Sequence, residues 1–192
     1  MKAIYILLLF LGFSSAIEKN FYEKLSDAAI TLTKDKVLYD PSYFKLKYPN
    51  GDVPIDKGVC TDVIIRAYRK LGIDLQKEVH EDMTLNFSKY PKNWNLKNPD
   101  SNIDHRRVPN LQTYFSRFGK QLAVSQNTSG YKTGDLVTWL IGEKLPHIGI
   151  VTHHLSSNGK RRLIVHNAGN GQVLEDCLFR YKINGHYRFK GK

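Results

Sequence analysis

The sequence predicts an α+β fold in which helices from the first half pack on an antiparallel sheet from the second half. In the first half, apolar residues recur at helical spacing, as at Phe21, Leu25, Ala28, Ala29 and Leu32. The second half changes to short segments rich in β-branched and aromatic residues, with turn residues between them. These segments are DLVTWL, HIGIVTHH, RRLIVHN and GHYRFK. Helices followed by consecutive strands are typical of the α+β class with an antiparallel sheet.

The segment GVCTDVIIRAYRKLGIDL, residues 58–75, predicts a helix headed by Cys60. Val63, Ile64 and further apolar residues lie on the same helical face as the cysteine. The partial positive charge at a helix start favours a thiolate, so Cys60 is a candidate nucleophile with a free, reactive thiol. Its position alone equally fits a small structural cysteine. Asp62, in the first turn, fits a partner of the helix dipole or a contact to a substrate amine.

Two further helices are predicted before the strands begin. Val79, Met83 and Phe87 indicate a short helix that stops before Pro91. After a polar loop, Asn110 is predicted to be the N-cap of a longer helix. The apolar positions and the stop residue of that helix are Leu111, Phe115, Phe118 and Gly119.

Two histidines mark the ends of neighbouring strands. His147 opens HIGIV and His166 closes LIVHN, and the turn between these segments predicts a hairpin. A two-residue turn would place His166 opposite Val151, on the same sheet face as His147 but two pairs away from it. Direct contact requires a longer loop or a bulge, and a one-residue slip would substitute Asn167 for His166. A Cys–His–His site is therefore predicted.

The remaining candidates for this site are weaker. His153 and His154 lie near the hairpin tip and are expected to be exposed. No usual ligand spacing supports a zinc site that uses them with His147 or His166, so no metal site is predicted. Cys60 and Cys177 are the two cysteines of the chain, and a disulfide between them stays open at this point.

The first sixteen residues, MKAIYILLLFLGFSSA, have the pattern of a secretory signal peptide cleaved near Ala16. Residues 17–192 are then expected to form a single, monomeric domain. No later stretch reaches the roughly 20 apolar residues that a membrane span requires, so stable membrane insertion is not expected. The protein is predicted to be exported to the periplasm or the medium, where disulfides persist.

The charge and the motifs narrow the class of partner. The formal net charge of +11 attracts polyanions such as cell-wall polymers, although scattered charges also fit an ordinary solvated surface. The chain has no RNA-binding signature, no zinc-finger spacing and no phosphate-binding glycine loop. Neither a nucleic-acid partner nor a cofactor is therefore expected.

Taken in order, the motifs resemble the NlpC-type cell-wall endopeptidases, which are compact relatives of papain. The resemblance is carried by Cys60 at a helix start, by Gly134-Asp135-Leu136-Val137, by His147-Ile148-Gly149-Ile150 and by His166 at a strand end. It implies a papain-like fold in which Cys60 attacks an amide, His147 is base and acid, and His166 orients His147. It also implies a site-forming tyrosine upstream of the cysteine, for which Tyr48 in YPNGD is the candidate; a core or turn tyrosine is the alternative.

A narrower resemblance covers nearly the whole chain after the signal peptide. The segments GVCTDVIIRAYRKLGIDLQKEVHEDM, NIDHRRVPNLQTYF, GDLVTW and HNAGNG are similar to exported bacterial proteins of YijF type, a family labelled as a domain of unknown function. This resemblance implies the fold relationship more firmly than it implies a substrate.

The chain departs from the ordinary peptidases in two places. Val59-Cys60-Thr61-Asp62 replaces the usual Asp-Cys-Ser-Gly, and the loop Asp104-His105-Arg106-Arg107 has no counterpart there. The two arginines of this loop can bind substrate carboxylates in bidentate fashion, or form a structural ion pair with Asp100 or Asp104. The loop is predicted to fold against the cleft, with Asp104 orienting Arg106 or His105 toward the substrate.

The function expected from these features is cleavage of amide bonds in the peptide part of peptidoglycan by an exported cysteine hydrolase. The oxyanion would be met by backbone N–H groups at the helix start, including that of Cys60. Two alternatives stay open. One is a papain-like enzyme that hydrolyses or transfers lipid or acyl groups, and the other is a wall-binding module without activity whose Cys60 is tied to Cys177.

Overall fold

The computed structural model of the protein describes residues 18–192, so the predicted signal peptide lies outside the described residues. The helices are α1 (Phe21–Leu32), α2 (Cys60–Arg69), α3 (Leu75–Asn86) and α4 (Val108–Phe118). The strands are β1 (Leu38–Tyr39), β2 (Lys57–Gly58), β3 (Lys120–Gln121), β4 (Leu136–Ile141), β5 (Leu145–Leu155), β6 (Arg162–His166), β7 (Val173–Glu175) and β8 (Lys182–Arg188). The four helices precede all six strands of the main sheet, which confirms the α+β prediction.

The main sheet has six strands in the order β3-β8-β4-β5-β6-β7, and every neighbouring pair in it is antiparallel. The short strands β1 and β2 form a separate parallel pair immediately before α2. Helices α1, α2 and α4 all pack on β5. The predicted arrangement, a cysteine-headed helix packed on an antiparallel sheet, is therefore present.

Both faces of the sheet are buried. Consecutive apolar residues of its central strands point alternately to the two faces, so that each face has apolar side chains to cover. Ile150 and Val165 belong to the core cluster shared with the helices. Their neighbours Val151 and Ile164 belong to a second cluster on the opposite face, together with Trp139 and Cys177. No helix within residues 18–192 is long and apolar enough to cross a membrane.

Cys60 begins α2, α3 ends before Pro91 and Gly119 follows the last residue of α4, as predicted. In α1, the Asn20 side chain accepts from the backbone N–H of Glu23, whose carboxylate accepts from the N–H of Asn20. The predicted N-cap of α4 is wrong. This helix starts at Val108, with Pro109 in its first turn, and the Asn110 side chain donates instead to the backbone carbonyl of Asp104. Proline fits a first helical turn because its missing N–H would have no partner there.

The β5–β6 hairpin has two registers, separated by an irregularity between Val151 and Leu155. Near the tip, Leu155 pairs with Arg162, as a two-residue turn at Asn158-Gly159 predicts. Below the bulge, Ile150 pairs with Val165, which moves His166 one pair closer to His147 than the tip register would place it. A bulge, one of the two features that direct contact of the histidines was expected to require, is therefore present.

Candidate active site

Cys60 is the first residue of α2, directly after the β1–β2 pair. The Asp62 carboxylate accepts from the backbone N–H of Val59 at 2.7 Å, which satisfies one of the unpaired donors at the helix start. Cys60 is buried, and both Cys60 and Cys177 are free. They belong to core clusters on opposite faces of the sheet, so the structure excludes the Cys60–Cys177 disulfide.

The thiol of Cys60 lies against the main chain of β5. Burial raises the pKa of Cys60 to about 12, although a backbone hydrogen bond from Ile148 and the N–H groups of Thr61 and Cys60 oppose that shift. The resting thiol is therefore protonated, and the thiolate that the helix start predicts is not the resting form. Desolvation outweighs the helix dipole here because the whole side chain is withdrawn from water.

His147 and His166 are in direct contact. Nε2 of His147 and Nδ1 of His166 are 2.9 Å apart, and both side chains are buried. Gly149, on the same sheet face, allows this approach, since a Cβ atom there would lie 3.2 Å from the Cβ of His166. Asn167 points elsewhere and donates to the carbonyl of Gly58 at 3.3 Å. The structure thus brings His166, and not Asn167, to His147.

The histidine pair continues to a carboxylate. Nε2 of His166 lies 3.4 Å from Oε2 of Glu175 on β7, a contact that lacks hydrogen-bond geometry. Burial lowers the pKa of His147 to about 3 and also lowers the pKa of His166, against the opposing effect of Glu175. Both imidazoles are therefore neutral at pH 7.

One arrangement of protons on these two neutral rings leaves an unprotonated nitrogen on His147. If His166 carries its proton on Nε2, toward Glu175, its Nδ1 accepts from Nε2–H of His147. Nδ1 of His147 then has a free lone pair. Cys60 meets β5 at Ile148, one residue from His147, and Leu145 and Pro146 from the same strand line the cavity beside the thiol.

Asp62 and Arg106 form a buried ion pair. Nε and Nη2 of Arg106 donate to the two carboxylate oxygens of Asp62 at 2.9 and 3.0 Å, and the two side chains are 2% and 3% exposed. Arg106 also donates to the carbonyl of Ser42. Arg106 is therefore not free to bind a substrate carboxylate, and Asp62 is not free to bind a substrate amine. The predicted alternative partners of Arg106, Asp100 and Asp104, were also wrong.

The other two predicted loop residues also have structural surroundings. The Asp104 carboxylate accepts from the backbone N–H of Asp100 at 2.8 Å and contacts Nδ1 of His80 at 2.9 Å. His105 is buried, and burial lowers its pKa to about 3. Asp104 thus orients neither Arg106 nor His105 toward a substrate, which corrects the prediction.

Arg107 is the loop residue that is available to a ligand. It lines a cavity of about 270 Å³ together with Cys60, and its guanidinium lies over the Trp94 ring, 4.5 Å from the centroid. Its Nη1 is buried without a hydrogen-bond partner among residues 18–192. The cavity is otherwise largely apolar and is also lined by Tyr39, Pro41, Val59, Ile103, Arg106, Val108, Pro109, Leu145 and Pro146.

The placement of Tyr48 at the site was wrong. Tyr48 is 40% exposed and packs on His80, with the ring centroids 5.3 Å apart. The upstream tyrosine that lines the cavity is Tyr39, which pairs with Gly58 in the β1–β2 ladder. Burial raises the pKa of Tyr39, and the nearby Cys60 adds to that shift, so the phenol stays protonated.

Residues 26–189 match the family model described as "Domain of unknown function (DUF1287)". The chain belongs to this family. It is 49% identical over 173 residues to the uncharacterized protein YijF of Escherichia coli (strain K12), covering 90% of this chain and 84% of YijF. These matches confirm the resemblance to the YijF-type family.

Two solved structures align with this DUF1287 protein at 12% sequence identity. NlpC1 from Trichomonas vaginalis aligns with a TM-score of 0.48 over 94% of this chain and 48% of NlpC1, so this chain spans about half the length of that protein. An N-acetylmuramoyl-L-alanine amidase from Bacteroides uniformis aligns with a TM-score of 0.46 over 87% of this chain and 97% of the amidase.

Sequence reasoning missed two residues of the site in this DUF1287 protein. Tyr39 opens the segment YDPSYF and carries no local signal of a role in the site. Glu175 lies in Gln172-Val173-Leu174-Glu175, where two apolar residues between polar ones could have indicated a short strand pairing with LIVHN. That pairing would have placed a carboxylate beside His166.

Proposed function

We propose that this protein is an exported cysteine hydrolase that cleaves amide bonds. The observation that carries the proposal is the buried His147–His166 pair, with Glu175 behind it, together with a free cysteine at a helix start whose thiol meets the backbone of Ile148, the residue after His147. A free thiol, a neutral imidazole and a group that orients the imidazole are the components of nucleophilic cysteine catalysis. The protein would reach the periplasm or the medium after cleavage near Ala16 and act as a monomer.

The neutral resting pair determines the order of proton transfers. Nδ1 of His147 takes the proton of Cys60 as the sulfur attacks the carbonyl carbon, so no stable thiolate is needed beforehand. Backbone N–H groups at the start of α2, including that of Cys60, stabilise the oxyanion. His147 then protonates the leaving amine, and water releases the acyl group from Cys60. The negative charge of Glu175, 3.4 Å from Nε2 of His166, favours a proton on that nitrogen, and Nδ1 of His166 then keeps the proton of His147 on Nε2.

The substrate class that we propose is the peptide part of peptidoglycan. A formal net charge of +11 would hold the protein near an anionic wall, and Arg107 supplies an unpaired guanidinium beside Cys60. Stacking on Trp94 fixes the plane of that guanidinium, which suits bidentate binding of a carboxylate. No metal or other cofactor takes part in the steps described.

The proposal is tested by mass spectrometry of purified peptidoglycan fragments after incubation with the protein. Wild-type protein should generate fragments that differ from the substrate by hydrolysis of one amide bond, and Cys60→Ala should generate none. Cys177→Ala is the matched control, because it removes the other buried cysteine and should leave the products unchanged. Identical products from wild type and Cys60→Ala would contradict cysteine catalysis.

Hydrolysis or transfer of lipid or acyl groups is the second candidate, and the apolar lining of the cavity favours it. Short acyl esters and acyl amides, assayed beside the peptidoglycan fragments, separate the two candidates. Turnover of the acyl substrates alone, dependent on Cys60, would replace the peptide substrate with a lipid one and leave the catalytic residues unchanged.

Arg107→Ala should raise KM for a fragment that carries a free carboxylate by about 10- to 100-fold, because a hydrogen bond to a charged group contributes about 1.5–3 kcal/mol. The same fragment with that carboxylate amidated should show a much smaller change. Arg107→Lys keeps the positive charge but lacks the planar pair of N–H donors, so it should recover only part of the lost affinity. An equal effect of Arg107→Ala on both fragments would show that Arg107 does not bind the carboxylate.

A further inference from the structure

A second cluster of reactive groups lies behind the histidine pair, on the side away from Cys60. Nε2 of His166, a carboxylate oxygen of Glu175 and Sγ of Cys177 all lie within 4.8 Å of one another. His166 and Cys177 are each 2% exposed, and Nε2 of His166 is buried without a hydrogen-bond partner. A buried imidazole nitrogen without a hydrogen-bond partner costs free energy, and here a thiol and a carboxylate lie beside it. A ligand bound to the nitrogen would remove that cost.

We propose that His166, Glu175 and Cys177 bind a divalent transition-metal ion such as Zn²⁺, and that this ion switches the active site off. One nitrogen, one sulfur and one oxygen ligand match the donors that zinc takes in proteins, with a fourth position left for water. Ligand atoms around one zinc ion lie about 3.5 Å apart, as the usual bond lengths imply. Inward movement of the three side chains by about 1 Å would close the site.

The switch follows from the way that the two histidines share protons, and this step rests on the proposed function. A metal on Nε2 of His166 leaves Nδ1 as the protonated nitrogen of that ring. Nδ1–H then donates across the 2.9 Å contact to Nε2 of His147, whose own proton must lie on Nδ1. His147 in that tautomer cannot accept the proton of Cys60. Metal binding therefore removes the base without touching the nucleophile.

Binding has two competitors that set its affinity. Cys177 must release its proton to solvent as the sulfur coordinates, and burial raises the pKa of that thiol to about 12. The Glu175 carboxylate already contacts Nη1 of Arg180 at 2.5 Å. The Arg180 side chain is 47% exposed, so it can turn into solvent when a metal ion replaces it. Both effects favour a reversible site that fills only when the metal is abundant.

Metal binding is measured directly, without any assay of hydrolysis. Titration of the purified protein with Co²⁺ should give the visible bands of a tetrahedral cobalt–thiolate centre at one ion per chain, and Zn²⁺ should displace them. Cys177→Ser should abolish the bands, and Arg180→Ala should tighten binding. His153→Ala/His154→Ala, a control for surface histidines, should bind as wild type does. Equal bands in wild type and Cys177→Ser would overturn the site.

The switch is measured separately from the site. Zn²⁺ should inhibit hydrolysis by the wild type at least tenfold. Cys177→Ser should stay active, since Cys177 has no part in the proposed mechanism, and should be insensitive to Zn²⁺ because it lacks a metal ligand. Cys177→Ala replaces it if the serine variant melts at a lower temperature. ¹⁵N NMR of His147 gives a readout that needs no substrate, because the metal should move its proton from Nε2 to Nδ1. A metal-bound protein with an unchanged His147 tautomer would overturn the switch.

Discussion

Replacing His147 with alanine should lower kcat for amide hydrolysis on the order of 10³-fold, because the thiol of Cys60 then has no base to accept its proton. The effect should be large here because burial keeps the thiol protonated, with its pKa raised to about 12, so spontaneous ionisation cannot replace the base. KM should change little, because His147 acts in the proton-transfer steps and its loss leaves ground-state binding of the substrate largely unchanged. Turnover is followed with the peptidoglycan fragments whose amide bonds the wild type is expected to cleave.

Three further variants make that result specific. His154→Ala, on the same strand but exposed, is the matched control and should keep wild-type rates. His166→Ala should lose less than His147→Ala, because an orienting group is partly replaceable by water. Cys60→Ala combined with His147→Ala should be no slower than either single variant, since the pair acts as a unit. A His147→Ala protein with a normal melting midpoint and near-normal turnover would rule out His147 as the base.

Arg106→Ala should reduce the free energy of unfolding by about 3–5 kcal/mol, because it leaves the Asp62 carboxylate buried and unpaired. The loss should extend beyond the ion pair, since Arg106 also joins the Asp104–Arg106 turn to the carbonyl of Ser42. This replaces the sequence-based expectation that Arg106 is oriented toward the substrate. Chemical denaturation monitored by circular dichroism gives the measurement.

Arg161→Ala is the matched control for Arg106→Ala. Arg161 also makes a bidentate pair, with Asp176, but those side chains are 35% and 30% exposed, so the loss should be below about 1 kcal/mol. Adding Asp62→Asn to Arg106→Ala should recover part of the stability, because the amide can still accept from Val59 N–H and carries no charge. Equal losses for Arg106→Ala and Arg161→Ala would contradict the structural role of the buried pair.

Local patterns in the sequence predicted the elements that carry the site. The cysteine-headed helix and the two strands that end in histidines are each visible within about ten residues, because helical and strand periodicities are local properties. The pairing register of the β5–β6 hairpin was harder to predict from the sequence. The turn sets the pairing near the tip, whereas the fit of His166 beside Gly149 and the buried pairs below the bulge set it at the site.

The polar partners could not be predicted in the same way. Asp62 and Arg106 are 44 residues apart, and any of several carboxylates fits that arginine in sequence terms. Tyr48 and Tyr39 are both tyrosines upstream of Cys60, and the sequence does not distinguish them. Only the β1–β2 pairing brings Tyr39 to the cavity. Glu175 becomes visible only when β7 pairs with β6. Such choices depend on the packing of distant segments, which periodicity does not encode.

The irregularity between Val151 and Leu155 separates the register of the hairpin tip from the register at the end of the strands that carries His147 and His166. In an uninterrupted ladder, a residue lost from the Ser156–Gly159 turn would put Asn167 in the place of His166, and a residue gained there would put Val165 in that place. Here the bulge absorbs such a shift before it reaches Ile150 and Val165. We therefore expect the tip to tolerate changes in length and composition, including an engineered tag. The contact between His147 and His166 should be kept in such variants.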